Sequence, residues 1–391
     1  MDRISKNNLI IKYQKEFINQ FRDNNFFTAI SPGRINIIGE HTDYNLGLAM
    51  PIAIDRWICS VVSIRDDNKI NIYSSNFNEK ISLNLNDLNA NKTTWKKYVF
   101  GCIKIFMDEY NIHKGLNILI GGNVPIGFGM SSSAALEVSL LASLIHAFNI
   151  SIDNYKILEL SNRVERDFLG IQSGLLDQYA SIFSKKDKPL LIDFSTLSHV
   201  YVDSKIKNAS WILINSMVDR SLVDSKYNER VNECKLGLKQ INDLYKTQIN
   251  INQITYTHLE KLKNFNKNRV IYNRIYHILS ENDRVHLMKE ALEKGDLNLI
   301  GEILNNSHDS LSNHYQVSCK EIDVILDISK KQRGFYGGRI MGGGFGGCCL
   351  GLINDSDKDF YIENLIEKFY NQFKYKLKIE IVDFSDGLQL V

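Results

Sequence analysis

The sequence predicts an α+β protein of two closely packed domains that meet near residue 190. Three observations carry that reading. The chain has 391 residues, long for a single hydrophobic core. Its first half alternates short β-rich runs with helical ones. Past about residue 190 long helical stretches and Asn- and Lys-rich loops take over, and the end of the chain returns to strand and helix.

Element by element, Trp57 to Ile64 and Ile70 to Tyr73 read as strands, because Ile, Val and aromatic side chains suit a pleated surface. Leu116 to Ile120 is a further apolar run. Ala134 to Phe148 has neither Gly nor Pro and predicts a helix. A second helix is predicted from Lys156 to Phe168, where Ile157, Leu160, Val164 and Phe168 step by three, four and four along one face. Tyr227 to Tyr245 and Asp283 to Leu311 are helical in texture. Gly338 to Met341 is a short strand, Asp359 to Phe373 a helix and Lys376 to Phe384 an alternating strand.

Composition excludes several classes. Hydrophobic residues at 44% and charged residues at 24% are ordinary for a globular chain. Forty-seven Lys and Arg against 45 Asp and Glu give +2, too balanced for a general nucleic-acid or membrane-surface binder. No run of about 18 apolar residues offers a membrane span. Met1 to Phe21 is charged throughout and lacks the apolar run of a signal peptide, so a cytoplasmic protein is expected. The six cysteines show no CxxC or Cys/His zinc spacing, which points to free thiols and no structural metal.

Three segments carry chemistry. Gly33 to Asn45 (GRINIIGEHTDYN) packs Glu40, His41, Asp43, Tyr44 and Asn45 into six residues. Such a mix of donors and acceptors suits a polyhydroxylated ligand, since each hydroxyl both donates and accepts. A turn with an Asx cap, or a His-x-Asp metal site lacking a companion cluster, are the alternatives. Pro125 to Ala135 (PIGFGMSSSAA) runs into the predicted helix. Its glycines let backbone N–H groups approach an anion, and a helix start completes the cradle; a serine N-cap on a packed helix is the plainer reading. No Gly-Lys-Ser/Thr follows, so it is not a Walker loop. Gly342 to Gly347 (GGGFGG) allows close backbone approach, to a ligand or between two segments. Between these segments Asp177 follows Gly170 and Gly174 on a loop and is a candidate base. Glu165 flanks the buried face of the preceding helix.

In this order the segments resemble those of the galactokinases, within the galactokinase, homoserine kinase and mevalonate kinase superfamily. GRINIIGEHTDYN is similar to the galactokinase signature almost position for position, VPIGFGMSSSAALEV to the superfamily's ATP-binding motif and GGRIMGGGFGGC to its third motif. Trp95-Lys96-Lys97-Tyr98-Val99, Ser307 to Leu311, Val317 to Cys319 and Asp386-Gly387 extend the likeness over effectively the whole chain.

The resemblance implies a two-domain sugar-kinase fold with the active site in the cleft. Residues 1–190 would form the sugar- and ATP-binding domain, and 191–391 would complete the cleft. It implies an ATP-dependent kinase that makes galactose 1-phosphate, the entry of galactose into the Leloir pathway, acting as a monomer. Arg34 would lie beside Asp177, the base near the 1-hydroxyl. Glu40, His41, Asp43, Gly174 and Tyr227 would contact the sugar. Trp95 would lie near the nucleotide base, and Gly127, Phe128, Gly129, Met130, Ser131, Ser132, Ser133 and Ala134 would wrap the triphosphate. Ser133 and Glu165 would hold Mg²⁺, as hard oxygen ligands. Departures from the family pattern are Ser173 before Gly174, Leu176, Met130, Met341 and Val231.

A nearby guanidinium keeps a carboxylate ionised and therefore weakly basic. Proton abstraction by Asp177 and orientation of the hydroxyl with late proton release both remain open. A kinase for N-acetylgalactosamine or another related sugar is the sister activity. A non-catalytic sugar sensor on the same scaffold is disfavoured by the presence of Ser133-Ala134 and Asp177.

Overall fold

The computed structural model describes residues 4–88, 95–125, 127–171, 173–218, 223–265 and 269–391. Ile126 and Gln172, which fall within two of the motifs, lie outside the described residues.

A six-stranded sheet dominates the first half. Its order is Gln389–Leu390, Phe27–Asn36, Pro51–Arg65, Gly115–Gly122, Lys69–Ser74 and Glu79–Asn84, with a single parallel pair between Lys69–Ser74 and Gly115–Gly122. The period of two sorts its side chains into opposite layers. Cys59, Val61 and Leu119 pack on Leu9, Tyr13 and Phe17 of the N-terminal helix Lys6–Phe21. Ile58, Val62, Ile118 and Ile120 face the other way, into the main core. There the helix Ser132–Ala147 lies against the sheet and under the helices Trp95–Tyr110, Asn154–Arg163 and Leu176–Phe183. It is apolar nearly all round because it is covered on all sides. Its two fully buried serines are satisfied inward: Ser139 Oγ meets Ser60 Oγ at 2.8 Å, and Ser143 Oγ donates to Ser60 O at 2.9 Å.

The second half builds an antiparallel sheet in the order Phe335–Met341, Cys348–Asn354, Ala209–Asn215 and Lys378–Val382. The helices Val223–Tyr245, Val270–Lys294, Leu297–Ser310, Lys320–Lys330 and Lys358–Phe373 accompany it. A second core cluster centres on Ile212, Ile275, Tyr315 and Phe369. Among the described residues no helix is long and apolar enough to cross a membrane.

The predicted strands and helices are present, with two differences of physical interest. The stretch from Asp283 to Leu311 is two helices, because Gly295 takes φ +71° and Asp296 caps the next helix through Leu299 N. The helix expected from Lys156 to Phe168 is α-helical only to Arg163. Val164–Phe168 is one π-helical turn, and Glu165 sits in it.

Gly301 lies inside the helix Leu297–Ser310, where alanine would ordinarily stabilise by about 1 kcal/mol. A Cβ there would fall on the carbonyl oxygen of Tyr336, because the helix rides directly on the strand Phe335–Met341. Overpacking, at about 1–3 kcal/mol, outweighs propensity. Gly301→Ala is therefore expected to lower the melting temperature in a thermal melt; a rise would show that the backbone contact is slack.

Candidate active site

The strand Phe27–Asn36 slips register between Pro32 and Arg34, and that bulge aims Arg34 at two other segments. Its backbone N–H donates to Met130 O at 3.0 Å, and one terminal nitrogen donates to Gly129 O at 2.6 Å. Nε donates to Asp177 Oδ1 at 2.7 Å. Gly33 must lack a side chain because Met130 O occupies the space. Asp177 is the second residue of the helix Leu176–Phe183, and its other oxygen accepts from Ser131 Oγ. Arg34, the glycine-serine loop and Asp177 thus form one bonded unit, as expected for Arg34 and Asp177.

Ser131 occupies the N-cap position of the helix Ser132–Ala147 in a left-handed conformation, φ +58°, and its side chain makes no cap bond. The plain serine-cap reading fails for that reason: the hydroxyl is committed to Asp177. The first N–H groups of the helix are left without a side-chain acceptor, which is the condition for receiving an anion. Gly127 and Gly129 also take positive φ. The side chains of Phe128, Met130 and Ala134 are buried.

After the strand, the chain enters the Glu40 turn. Glu40 Oε1 accepts from Gly342 N at 2.8 Å and pairs with Arg339 at 3.0 Å, and Oε2 accepts from Asn36 Nδ2 at 3.1 Å. His41 has φ +62°, and its Nδ1 meets Tyr44 Oη at 2.8 Å. Burial lowers its pKa to about 4, so the ring is neutral, and its Nε2 is buried without a partner among the described residues. Gly174 abuts the Asp43 carboxylate so closely that no side chain fits there. Burial pushes Asp43 up to about 7 against the hydrogen bond from Tyr44 N, and Asp177 and Glu40 add to the rise. The Tyr227 ring stands 5.7 Å from His41 and 5.2 Å from Tyr44.

Arg34, Glu40, His41, Asp43, Glu165, Gly174, Asp177 and Tyr227 line one cavity of 220 Å³. This brings together every sugar-side residue expected from sequence, at a volume suited to one small polar molecule. A second cavity of 490 Å³ is lined by Trp95, Phe77, Tyr98, Ser132 and Ser133. Phe77 stacks on Trp95 at 5.9 Å and 8°. Consecutive serines serve the two cavities: Ser131 bonds Asp177, which lines the first, and Ser132 and Ser133 line the second.

Glu165 is 8% exposed. Burial raises its pKa, the Ser173 hydroxyl counters by donating to Oε2, and Asp177 raises it further. A hard cation would relieve both causes of the rise, so this carboxylate suits an oxygen-ligated Mg²⁺. Ser133, expected to share that ion, is half-buried and lines the second cavity, not the one that Glu165 lines. Sequence reasoning missed Phe77, Gln178, Glu281 and the role of Arg339. Nothing local marks them, since each acts on a segment distant in the chain.

Comparison with known proteins gives the family. Family models match for the galactokinase galactose-binding signature at residues 15–64, the GHMP kinases N terminal domain at 97–185 and the GHMP kinases C terminal at 288–372. The galactokinase of Fusobacterium nucleatum is 35% identical over 97% of this chain and 98% of its own length. That of Clostridium tetani is 36% identical over 98% of both. The chain belongs to the galactokinase family. Among solved structures, Lactococcus lactis galactokinase complexed with galactose superposes with a TM-score of 0.90 at 29% identity, covering 97% of this chain and 99% of that one. A mevalonate kinase superposes at 0.65 and 20% identity over 92% of this chain and 99% of its own, a likeness of fold alone. The two-domain kinase fold of the galactokinase family, expected from the resemblance, is the fold of this chain.

Asp43 yields a pH prediction. A carboxyl raised in the folded state contributes stability that is complete below its unfolded pKa and is lost as pH rises through about 7. Asp43→Asn removes that loss. The variant is expected to melt several degrees above the parent at about pH 8, with the gap closing toward about pH 4. A gap independent of pH would refute the buried carboxyl.

Proposed function

We propose that the chain transfers the γ-phosphoryl group of ATP to the 1-hydroxyl of D-galactose. The observation that supports this best is the 220 Å³ cavity, in which Asp177 shares walls with the Glu40–Asp43 turn and a buried, unpartnered His41 Nε2. A sugar hydroxyl supplies the partner that nitrogen lacks. Glu40, His41, Asp43, Gly174 and Tyr227 bind the sugar, and Asp43, with a pKa near 7, can either donate or accept. Trp95 and Phe77 flank the base, while the uncapped start of the helix Ser132–Ala147 receives phosphate oxygens.

Phosphoryl transfer asks chiefly for alignment and charge neutralisation. Asp177 orients the 1-hydroxyl. Because Arg34 pairs with it, Asp177 takes the proton late, as the new O–P bond makes the hydroxyl acidic. Ser133 and Glu165 are the residues that would hold Mg²⁺, which when bound neutralises charge on the β- and γ-phosphates.

ATP consumption by purified protein across free sugars tests the substrate: galactose is expected to be consumed fastest. Faster turnover of N-acetylgalactosamine would replace galactose with that sugar. Asp177→Asn is expected to lose ~10²–10⁴-fold in turnover with its circular dichroism unchanged. Near-parental turnover would remove Asp177 from the chemistry.

The metal is tested by two residues 32 positions apart in sequence. Ser133→Ala and Glu165→Gln should each raise the Mg²⁺ concentration needed for turnover, Glu165→Gln more, because it removes a full charge. Since both act on one ion, the double variant should be clearly non-additive. Additivity with unchanged Mg²⁺ dependence would separate them.

A further inference from the structure

Beneath the site lies a carboxylate with no assigned role. Glu137, on the buried helix Ser132–Ala147, is fully enclosed. Its Oε2 accepts from Gln178 Nε2 at 3.1 Å, and its Oε1 has no partner among the described residues. Gln178 is 1% exposed, and among the described residues its own Oε1 is also without a partner. Two buried acceptor oxygens on facing groups, each lacking a donor, would cost about 1–3 kcal/mol apiece. One proton on Glu137 Oε1 supplies the missing donor: the acid donates to Gln178 Oε1 while Gln178 Nε2 donates to Glu137 Oε2. A carboxylic acid and a primary amide so arranged close a ring of two hydrogen bonds.

We propose that Glu137 is a positioning residue, a neutral acid locked in a two-bond pair with Gln178 that holds Asp177 and Glu165 in register. Gln178 follows Asp177 directly in the helix Leu176–Phe183, so fixing its side chain fixes that helix turn against the glycine-loop helix. The Gln178 amide also acts on Glu165, helping to hold that carboxyl's pKa down. One amide thus spans a neutral acid on one side and the carboxylate expected to meet Mg²⁺ on the other. Outer partners of this kind orient the groups that do the binding. The groups facing Glu137 agree with a neutral acid: Glu165 on the π turn and Asp177 on its helix are acidic neighbours that disfavour a further negative charge, and Cys102 of the helix Trp95–Tyr110 is a buried thiol. Burial first, then Glu165, raises the Glu137 carboxyl well above the usual carboxylate range.

This rests on the kinase reading for its consequence but not for its test. Infrared difference spectra between the unliganded parent and Glu137→Gln should show a protonated-carboxyl C=O band at neutral pH that the variant lacks. Absence of that band overturns the proposal whether or not galactose is phosphorylated; its presence with no sugar kinase activity would instead overturn the functional reading. Glu137→Gln preserves a two-bond amide pair, so it should keep both the melting temperature and the Mg²⁺ requirement of the parent. Glu137→Leu should lose ~10–100-fold in turnover or metal affinity. Manganese titration followed by electron paramagnetic resonance, with nucleotide present, reads the metal side without turnover and should show the loss in Glu137→Leu alone. If Glu137→Gln fell as far as Glu137→Leu, Glu137 would be acting as an anion and the pairing would be wrong. If Glu137→Leu does not fold, the infrared band and the Glu137→Gln comparison still decide.

Discussion

Two buried charges from the second half of the chain hold the turn that carries the sugar-side residues. Arg339 is 0% exposed. It donates to the carbonyls of Asn36, Ile37 and Ile340 and pairs with Glu40. Glu281, equally buried, accepts from Gly39 N at 3.1 Å and Glu40 N at 3.3 Å, and is itself braced by Ser307 and Arg284. Burial would raise its pKa, yet Arg284, His277 and Arg339 together bring it down to about 2. His277 completes the clamp by meeting Glu40 O at 3.1 Å. Breaking one partner of such a buried pair costs about 3–5 kcal/mol, so the turn's shape and the docking of the two halves are one event.

That clamp explains how the turn tolerates strain. His41 holds a left-handed backbone that costs a non-glycine residue energy, and Gly39 at φ +89° has Leu48 and Ala49 pressed against it. Tyr44, Tyr227 and Tyr315 box the His41 ring, and Tyr44 Oη reaches Tyr315 Oη at 2.9 Å. The glycine-serine loop follows the same logic: Ser131 gives up capping to reach Asp177, which leaves helix N–H groups for an anion.

Most of the site was legible in the sequence because its parts are dense local motifs. Glu40, His41 and Asp43 lie within four residues, and the glycine-serine loop runs straight into its helix. The strands and the buried helix were legible from periodicity for the same reason. What could not be read was pairing across the chain. Arg339 sits in a quoted motif, but its partner at Glu40 is 299 positions away. Phe77 stacks on Trp95 from a neighbouring hairpin, and no spacing announces that. The π turn at Glu165 also hides in an ordinary helical pattern, since Ile157, Leu160, Val164 and Phe168 satisfy the α period equally well. The strand Gln389–Leu390 joins the N-terminal sheet beside Ala29 and Ile30, a pairing only the folded chain discloses.

Five carboxyl groups, Glu40, Asp43, Glu137, Glu165 and Asp177, crowd a region meant to receive a polyanion. Were all charged and unpaired, each pair at about 4 Å would repel by roughly 4 kcal/mol at an effective dielectric of about 20, and a triphosphate would be excluded. The structure separates them by environment. Glu40 and Asp177 each face a guanidinium, Arg339 and Arg34. Asp43, Glu137 and Glu165 are pushed toward the neutral form by burial. Of these three, Glu165 is the carboxyl proposed to meet a divalent cation, which would favour its ionised form and face the incoming phosphates at once. Cation and nucleotide each lessen the repulsion the other meets, so their binding is positively coupled by the same electrostatics that would otherwise keep both away.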